Sequence, residues 1–108
     1  MSYTASGAIH AGQCVYLVDD FTVHATSATT QNALGIAAQD ADDGDPIAVY
    51  GPGNLVRCRI SGTAGCTVGD TLGAGAAGYL FSGSTGRKCA ILIDKPASDL
   101  GVGVVYTI

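Results

Sequence analysis

Residues 44–72 read GDPIAVYGPGNLVRCRISGTAGCTVGDTL. Two short apolar runs, 46–50 and 55–60, are bounded by Gly, Pro and Asn, which are typical turn residues. The pattern predicts a β-hairpin whose turn lies at Gly51–Asn54. A second turn is predicted from Ser61 to Gly65, where small and flexible residues follow the second run.

The second run has the clearest period-two pattern in the chain. Successive side chains of a strand point to opposite faces. One face should therefore carry Val56, Cys58 and Ile60, and the other Leu55, Arg57 and Arg59. We expect the first face to be core. The two arginines must meet water or an acidic partner.

A Gly-Asp pair occurs twice, at Gly44-Asp45 and at Gly69-Asp70, each time before an apolar run. Gly permits positive φ, and Asp can bond to its own backbone. Each pair is predicted to be a tight turn that leads into a strand.

The rest of the chain continues this style, with sixteen glycines and short apolar runs. We predict an all-β fold, a small β-sandwich or barrel (β-tulip or β-clip-like) of about seven short strands with Gly-rich turns. Residues 1–8 are interpreted as an N-terminal arm and residues 9–108 as a single β domain. Residues 72–86 are expected to be a long loop or a loosely paired hairpin. The predicted strands are 14–18, 22–25, 33–38, 46–50, 55–60, 89–93 and 102–108.

Composition excludes several classes of function. The net charge is −4 without a basic cluster, which argues against nucleic-acid binding. No apolar run approaches the roughly 20 residues of a membrane helix. No secretory signal is visible at the start, so we expect synthesis in the cytosol. Charged residues make up 13%, against about 25% in typical domains, which favours a surface partly buried against partners over one rich in Ser, Thr and Gly.

The four cysteines are Cys14, Cys58, Cys66 and Cys89, and none has the spacing of a zinc or redox motif. We predict four free thiols, with a disulfide as the weaker alternative. A Cys66–His24–Asp20 set lacks the framing of a nucleophile, so no enzyme activity, cofactor or metal is expected.

The acidic segment Asp40–Asp45 has two interpretations. It is a solvated loop, or it resembles the start of a calcium loop. The calcium interpretation lacks the distal glutamate, because the chain contains no Glu, and flanking helices are not predicted.

A series of short motifs follows one another along nearly the whole chain: Ile9–Gly12, Val15–Asp19, Leu34–Ala37, Gly44–Val49, Gly62–Gly65, Val68–Leu72, Gly78 and Ala97–Val102. Together they resemble the small decoration (cement) proteins of tailed-bacteriophage heads. The resemblance implies a β-rich domain on the capsid exterior that holds capsomers together, often as a trimer. It implies a non-enzymatic virion protein made in the host cytoplasm, with the major capsid protein and its own copies (a homotrimer) as partners.

The alternative is a small β-barrel or β-clip ligand-binding module, because Gly12–Val15 and Gly69–Leu72 also suit such folds.

Four residues are predicted to bind partners. Arg57 and Arg59 would pair with an acidic surface, either Asp40–Asp45 of a neighbouring copy or the capsid; the alternative is a solvated face. Tyr3 and Thr4 lie in the predicted arm, and Tyr3 is expected to be ordered against another chain and not against its own domain.

Overall fold

The computed structural model describes residues 2–62 and 65–108. Within them ten strands form two closed five-stranded barrels, so the all-β prediction is confirmed. The strands are β1 (Ser2–Ala5), β2 (Cys14–Asp19), β3 (Thr22–Ala25), β4 (Gly35–Ala37), β5 (Pro46–Tyr50), β6 (Leu55–Ser61), β7 (Thr71–Ala74), β8 (Leu80–Phe81), β9 (Lys88–Asp94) and β10 (Val102–Thr107). A 3-10 turn lies at Ala76–Gly78.

Barrel one contains β1–β5 in the order β1-β3-β2-β4-β5, and β5 closes onto β1. Only the pairing of β1 with β3 is parallel. Barrel two contains β6–β10 in the order β6-β8-β7-β9-β10, and β10 closes onto β6. Its only parallel pairing joins β6 and β8. The two halves of the chain therefore have the same topology.

Matching hydrogen bonds show that this correspondence extends to the turns. After β1, the N–H of Gly7 donates to Asp43 Oδ1 at 2.8 Å. After β6, the N–H of Gly62 donates to Asp99 Oδ1 at 2.7 Å. Both glycines have positive φ, 74° and 66°. An aspartate from the loop before the fifth strand thus fixes the end of the first strand in each barrel.

The turns before β2 and β7 also correspond. They are His10–Gln13 and Thr67–Asp70. In each, the last N–H donates to the first carbonyl, at 3.1 and 2.9 Å. The last side chain accepts from the first N–H, at 2.8 Å in both turns. The chain is an internal structural duplication in which residues 2–50 match residues 55–107.

The barrels share part of their core. β2 faces β7 and β4 faces β9, so equivalent strands meet at the contact. Cys14, Ala33 and Ile36 of barrel one belong to the same buried cluster as the interior of barrel two. The interior of barrel one forms the second cluster, around Val15 and Ile47.

Hydrogen bonds between loops add to this contact. Thr26 Oγ1 donates to the carbonyl of Gly75 at 2.9 Å, and Gly78 N–H donates to the carbonyl of Thr26 at 2.7 Å. Arg87 Nη1 donates to the carbonyl of Ala33 at 2.8 Å. The two barrels are therefore held together by polar as well as apolar contacts.

The predicted central hairpin is wrong, although both of its strands exist. β5 pairs with β1 and β4, whereas β6 pairs with β8 and β10, so the Gly51–Asn54 turn joins the two barrels. Turn residues between two apolar runs do not say whether the runs pair with each other. The predicted turn from Ser61 to Gly65 contains Thr63 and Ala64, which lie outside the described residues.

The interpretation of residues 1–8 as an arm also needs correction. Residues 2–5 form β1, which lies between β3 and β5 in barrel one. Ala5 is buried, and Tyr3 packs against the core cluster of its own barrel. The segment has no apolar run because only part of its surface faces the core. The expectation that Tyr3 avoids its own domain is therefore wrong.

All seven predicted strands are present, and β7 follows the Gly69-Asp70 turn predicted to lead into a strand. β1 and β8 are additional. Most of β7 and all of β8 lie within residues 72–86. The two strands pair with each other, in agreement with the expected hairpin and not with the expected long loop. Across the described ranges 2–62 and 65–108, no helix has the length and apolar character needed to cross a membrane.

We expect β1 to be required for stability. The N–H of Thr4 donates to the carbonyl of Phe21 at 2.7 Å, and its side chain is exposed. Thr4→Pro removes this donor and should lower the free energy of unfolding by about 1–3 kcal/mol in urea titrations. Thr4→Ser keeps the N–H and should unfold like the wild type. Equal stability of all three proteins would show that β1 is not part of the cooperative fold.

Candidate interaction surface

A cleft of about 510 Å³ lies where the two barrels meet. One wall is the His10–Gln13 turn of barrel one. The other walls come from β6, from the β7–β8 turn and from Val102 at the start of β10. The cleft therefore depends on the packing of the barrels and not on one local motif.

Arg57 and Arg59 line this cleft, as the alternation of β6 dictates. Val56, Cys58 and Ile60 are buried, and the arginines between them are exposed. Within residues 2–62 and 65–108 neither arginine has an ion-pair or hydrogen-bond partner. Two uncompensated positive charges thus lie side by side in a protein of net charge −4.

Apolar side chains surround the arginines on the outer face of barrel two. Cross-strand register places Arg57 opposite Val104 and Arg59 opposite Val102. Val102 is 57% exposed, and Leu55, the first residue of β6, is 68% exposed. We call the set Leu55, Arg57, Arg59, Val102 and the cleft wall at Tyr79 the cationic face. Mixed apolar and guanidinium groups are typical of protein–protein contacts.

Cys58 lies between the arginines but points into the core, where it is 3% exposed. Burial raises the pKa of its thiol from an ordinary 9.0 to about 12. The pKa of Cys14 is also well above its ordinary value, because its thiol hydrogen-bonds with Cys89 and is buried. All four cysteines are free and buried, as predicted, and they serve as core residues.

The acidic loop before β5 has a structural role. Asp40 Oδ1 accepts from Ala11 N–H at 2.7 Å, Asp43 holds Gly7, and Asp45 Oδ2 accepts from Asp42 N–H at 3.3 Å. A metal-holding group of three or more His, Cys, Asp or Glu side chains is absent from the part of the chain that the structure describes. Most carboxylates of the acidic loop therefore accept hydrogen bonds that fix neighbouring turns.

Tyr3 and Thr4 lie on β1 and do not line the cleft. Thr4 is exposed, and the hydrogen-bonded correspondence of the barrels makes it the equivalent of Arg59. The four predicted partner-binding residues therefore belong to equivalent strands of different barrels. Their contacts with partners remain predictions.

The sequence predicts a turn at Asp19–Phe21 between β2 and β3, but it gives no reason to assign partner binding to the tip of this hairpin. Leu17, Val18 and Phe21 are 50%, 45% and 58% exposed there, with Asp19 and Asp20 between them. Phe21 also has a positive φ of 50°, which is uncommon for a bulky residue. The signal in the sequence was Phe21, a large apolar residue inside the two-residue turn Asp20-Phe21, where small or polar residues are usual.

Comparison with known proteins finds a structural relation. No protein-family model matches the sequence, and no curated protein matches it. A solved structure aligns with 100% of this chain and 92% of its own length, at a TM-score of 0.69 and 18% identity: the crystal structure of the head fiber gp8.5 N base in bacteriophage phi29. The two chains share a fold. At 18% identity the likeness speaks for the fold alone.

The raised pKa of Cys58 predicts a pH-dependent loss of stability. Below pH 9 both folded and unfolded thiols are protonated, so the contribution is complete. As pH rises from 9 toward about 12, only the unfolded thiol ionises, which favours unfolding. By pH 10 this should cost about 1 kcal/mol.

The measurement is urea unfolding at pH 7, 9, 10 and 11 for the wild type, Cys58→Ala and Val56→Ala. The stability advantage over Cys58→Ala should shrink with pH, whereas the advantage over Val56→Ala, a buried neighbour that does not titrate, should stay constant. Parallel curves for both variants would contradict the assigned pKa.

Proposed function

We propose that this protein is a structural component of a bacteriophage head, a decoration protein that binds the major capsid protein on the capsid exterior. The observation that carries the proposal is the fold likeness to the head fiber base of phi29, which spans the whole chain. In the proposed function the protein has no enzymatic activity and no cofactor, and it is made in the host cytoplasm.

The sequence motifs shared with decoration proteins support the same proposal from another direction. Several of them fall on turns that the two barrels have in common, such as Gly12 and Gly69 before the second strand of each barrel. Gly62, which follows β6, has the same role as Gly7. These motifs thus mark the turns that both barrels need, which suits a small and rigid protein present in many copies.

The surface chemistry also favours a protein partner. Eleven large apolar side chains are exposed among the described residues, and charged residues are few. Apolar surface of this kind is typical of sites that become buried in an assembly. We propose a homo-oligomer, a homotrimer by analogy with decoration proteins, with Tyr3, Thr4, Arg57 and Arg59 among the contacts with other chains.

One feature favours the alternative, a ligand-binding module. The cleft of about 510 Å³ falls within the roughly 300–1,000 Å³ of small-molecule sites. A ligand-binding module should be a monomer that does not bind capsids and that binds a small anion at Arg57 and Arg59. Sedimentation with and without capsids separates the two functions.

The test is co-sedimentation with undecorated phage capsids. We expect saturable binding of the wild-type protein. Thr4→Arg places a long cation on the outer face of β1 and should weaken binding by at least about tenfold without changing the melting temperature. Thr85→Arg, an equal change on the exposed β8–β9 loop, should bind like the wild type.

Two results would count against the proposal. Absence of wild-type protein from the capsid pellet at any concentration would reject capsid attachment. Equal binding of Thr4→Arg and Thr85→Arg would remove the outer face of β1 from the contact.

A further inference from the structure

The tip of the β2–β3 hairpin, residues 17–21, carries apolar surface that the described chain leaves uncovered. Leu17, Val18 and Phe21 are each 45% exposed or more. Asp19 Oδ1 accepts from Asp20 N–H at 2.8 Å, and the Asp20 carboxylate has no partner among residues 2–62 and 65–108. The tip is therefore both apolar and acidic.

The duplicated barrel shows what such a turn can do. Val23 is the parallel partner of Ala5, as Leu80 is of Ile60, so Phe21 corresponds to Gly78. The turn that contains Gly78 is seated on barrel one, where a Cβ on Gly78 would lie 3.0 Å from Gln13. In barrel two this turn is thus a docking element. At the β2–β3 tip the Phe21 ring contacts Tyr3 of its own barrel, with ring centroids 6.3 Å apart, yet 58% of Phe21 stays exposed.

The backbone at Phe21 supports a docking role. Gly78 has a φ of 78° and Phe21 a φ of 50°, so both positions are left-handed. Glycine adopts this conformation without strain, whereas a bulky side chain does not. A large apolar group is kept at a position that strains it and where it is exposed, which is typical of a functional site.

The cationic face offers the complementary chemistry. Arg57 and Arg59 are unpaired within the described chain, and Val102 and Leu55 beside them are exposed. The two aspartates of the tip match the two arginines in number and opposite charge. The carboxylates of Asp40, Asp43 and Asp45 in the acidic loop accept from backbone N–H groups, as Asp19 does in the tip. What favours the tip as the acidic partner is the Asp20 carboxylate, which has no partner in the described chain, beside the exposed side chains of the tip.

We propose that the β2–β3 tip of one copy docks on the cationic face of a second copy of this chain. Both barrels are closed, so the copies cannot join by strand addition, and side chains must carry the contact. The two patches are unlike, so every copy both gives a tip and receives one. This contact concerns assembly of free protein, and it stands or falls independently of capsid binding.

The first test is sedimentation velocity of the full chain without capsids. The wild type should associate as its concentration rises, and less so as salt is added, because exposed charges are screened. Phe21→Gly removes the ring and the backbone strain together. It also removes the ring contact with Tyr3, so the melting temperature is measured beside association. At temperatures where the variant is fully folded, self-association should weaken at least about tenfold.

Association of Phe21→Gly equal to that of the wild type would overturn the proposal. So would a wild type that is monomeric at every concentration, including one whose tip is needed only for capsid binding.

The second test is a charge exchange. Asp19→Arg with Asp20→Arg, and Arg57→Asp with Arg59→Asp, should each abolish association when alone. Mixing the two proteins restores opposite charges at both kinds of contact and should restore association. Asp42→Arg is the matched control in the acidic loop and should associate like the wild type.

Failure of the mixture to associate would overturn the contact. So would loss of association in Asp42→Arg alone, which would move the contact to the acidic loop.

Discussion

The rest of the structure depends on the closure of two five-stranded sheets by a parallel strand pair. In each barrel the first strand lies between the third and the fifth, so no described strand of either barrel has a free edge. Free edges are the usual route to uncontrolled aggregation. Closure removes this route in both barrels. The consequence is that recognition must use side chains on the outer faces.

Duplication explains how one small chain obtains distinct outer faces. Equivalent positions in the two barrels share turn geometry, yet their exposed residues differ: Thr4 and Pro46 pair in barrel one where Arg59 and Val102 pair in barrel two. The backbone role is the same in both halves, so the fold does not require this difference. Partner binding is the simplest reason for it. Tyr50 and Tyr106, both exposed at the ends of their strands, show that part of the face remains common.

The sequence predicts what is local and misses what is not. The alternation of 55–60 correctly places Arg57 and Arg59 outside, because a strand's faces follow from its period. β1 has no apolar run and β8 has only two residues, so their pairing with distant strands is what makes them strands. The recurrence of Gly44-Asp45 and Gly69-Asp70 correctly predicts two turns with positive φ.

These two Gly-Asp turns are not equivalent, however. Gly69-Asp70 corresponds to Gly12-Gln13, because the side chains of Asp70 and Gln13 accept equivalent backbone hydrogen bonds. The repeat is therefore recognised from the contacts and not from sequence identity. The cleft follows from the packing of one barrel on the other, which no local pattern encodes.

The most direct measurement of the central claim is an electron cryo-microscopy map of phage heads that have been mixed with this protein and then purified. The account predicts two-barrel density, about 35 × 24 × 21 Å per copy, on the outer capsid surface. Heads that contain the protein elsewhere, or purified heads that lack it, would contradict the account.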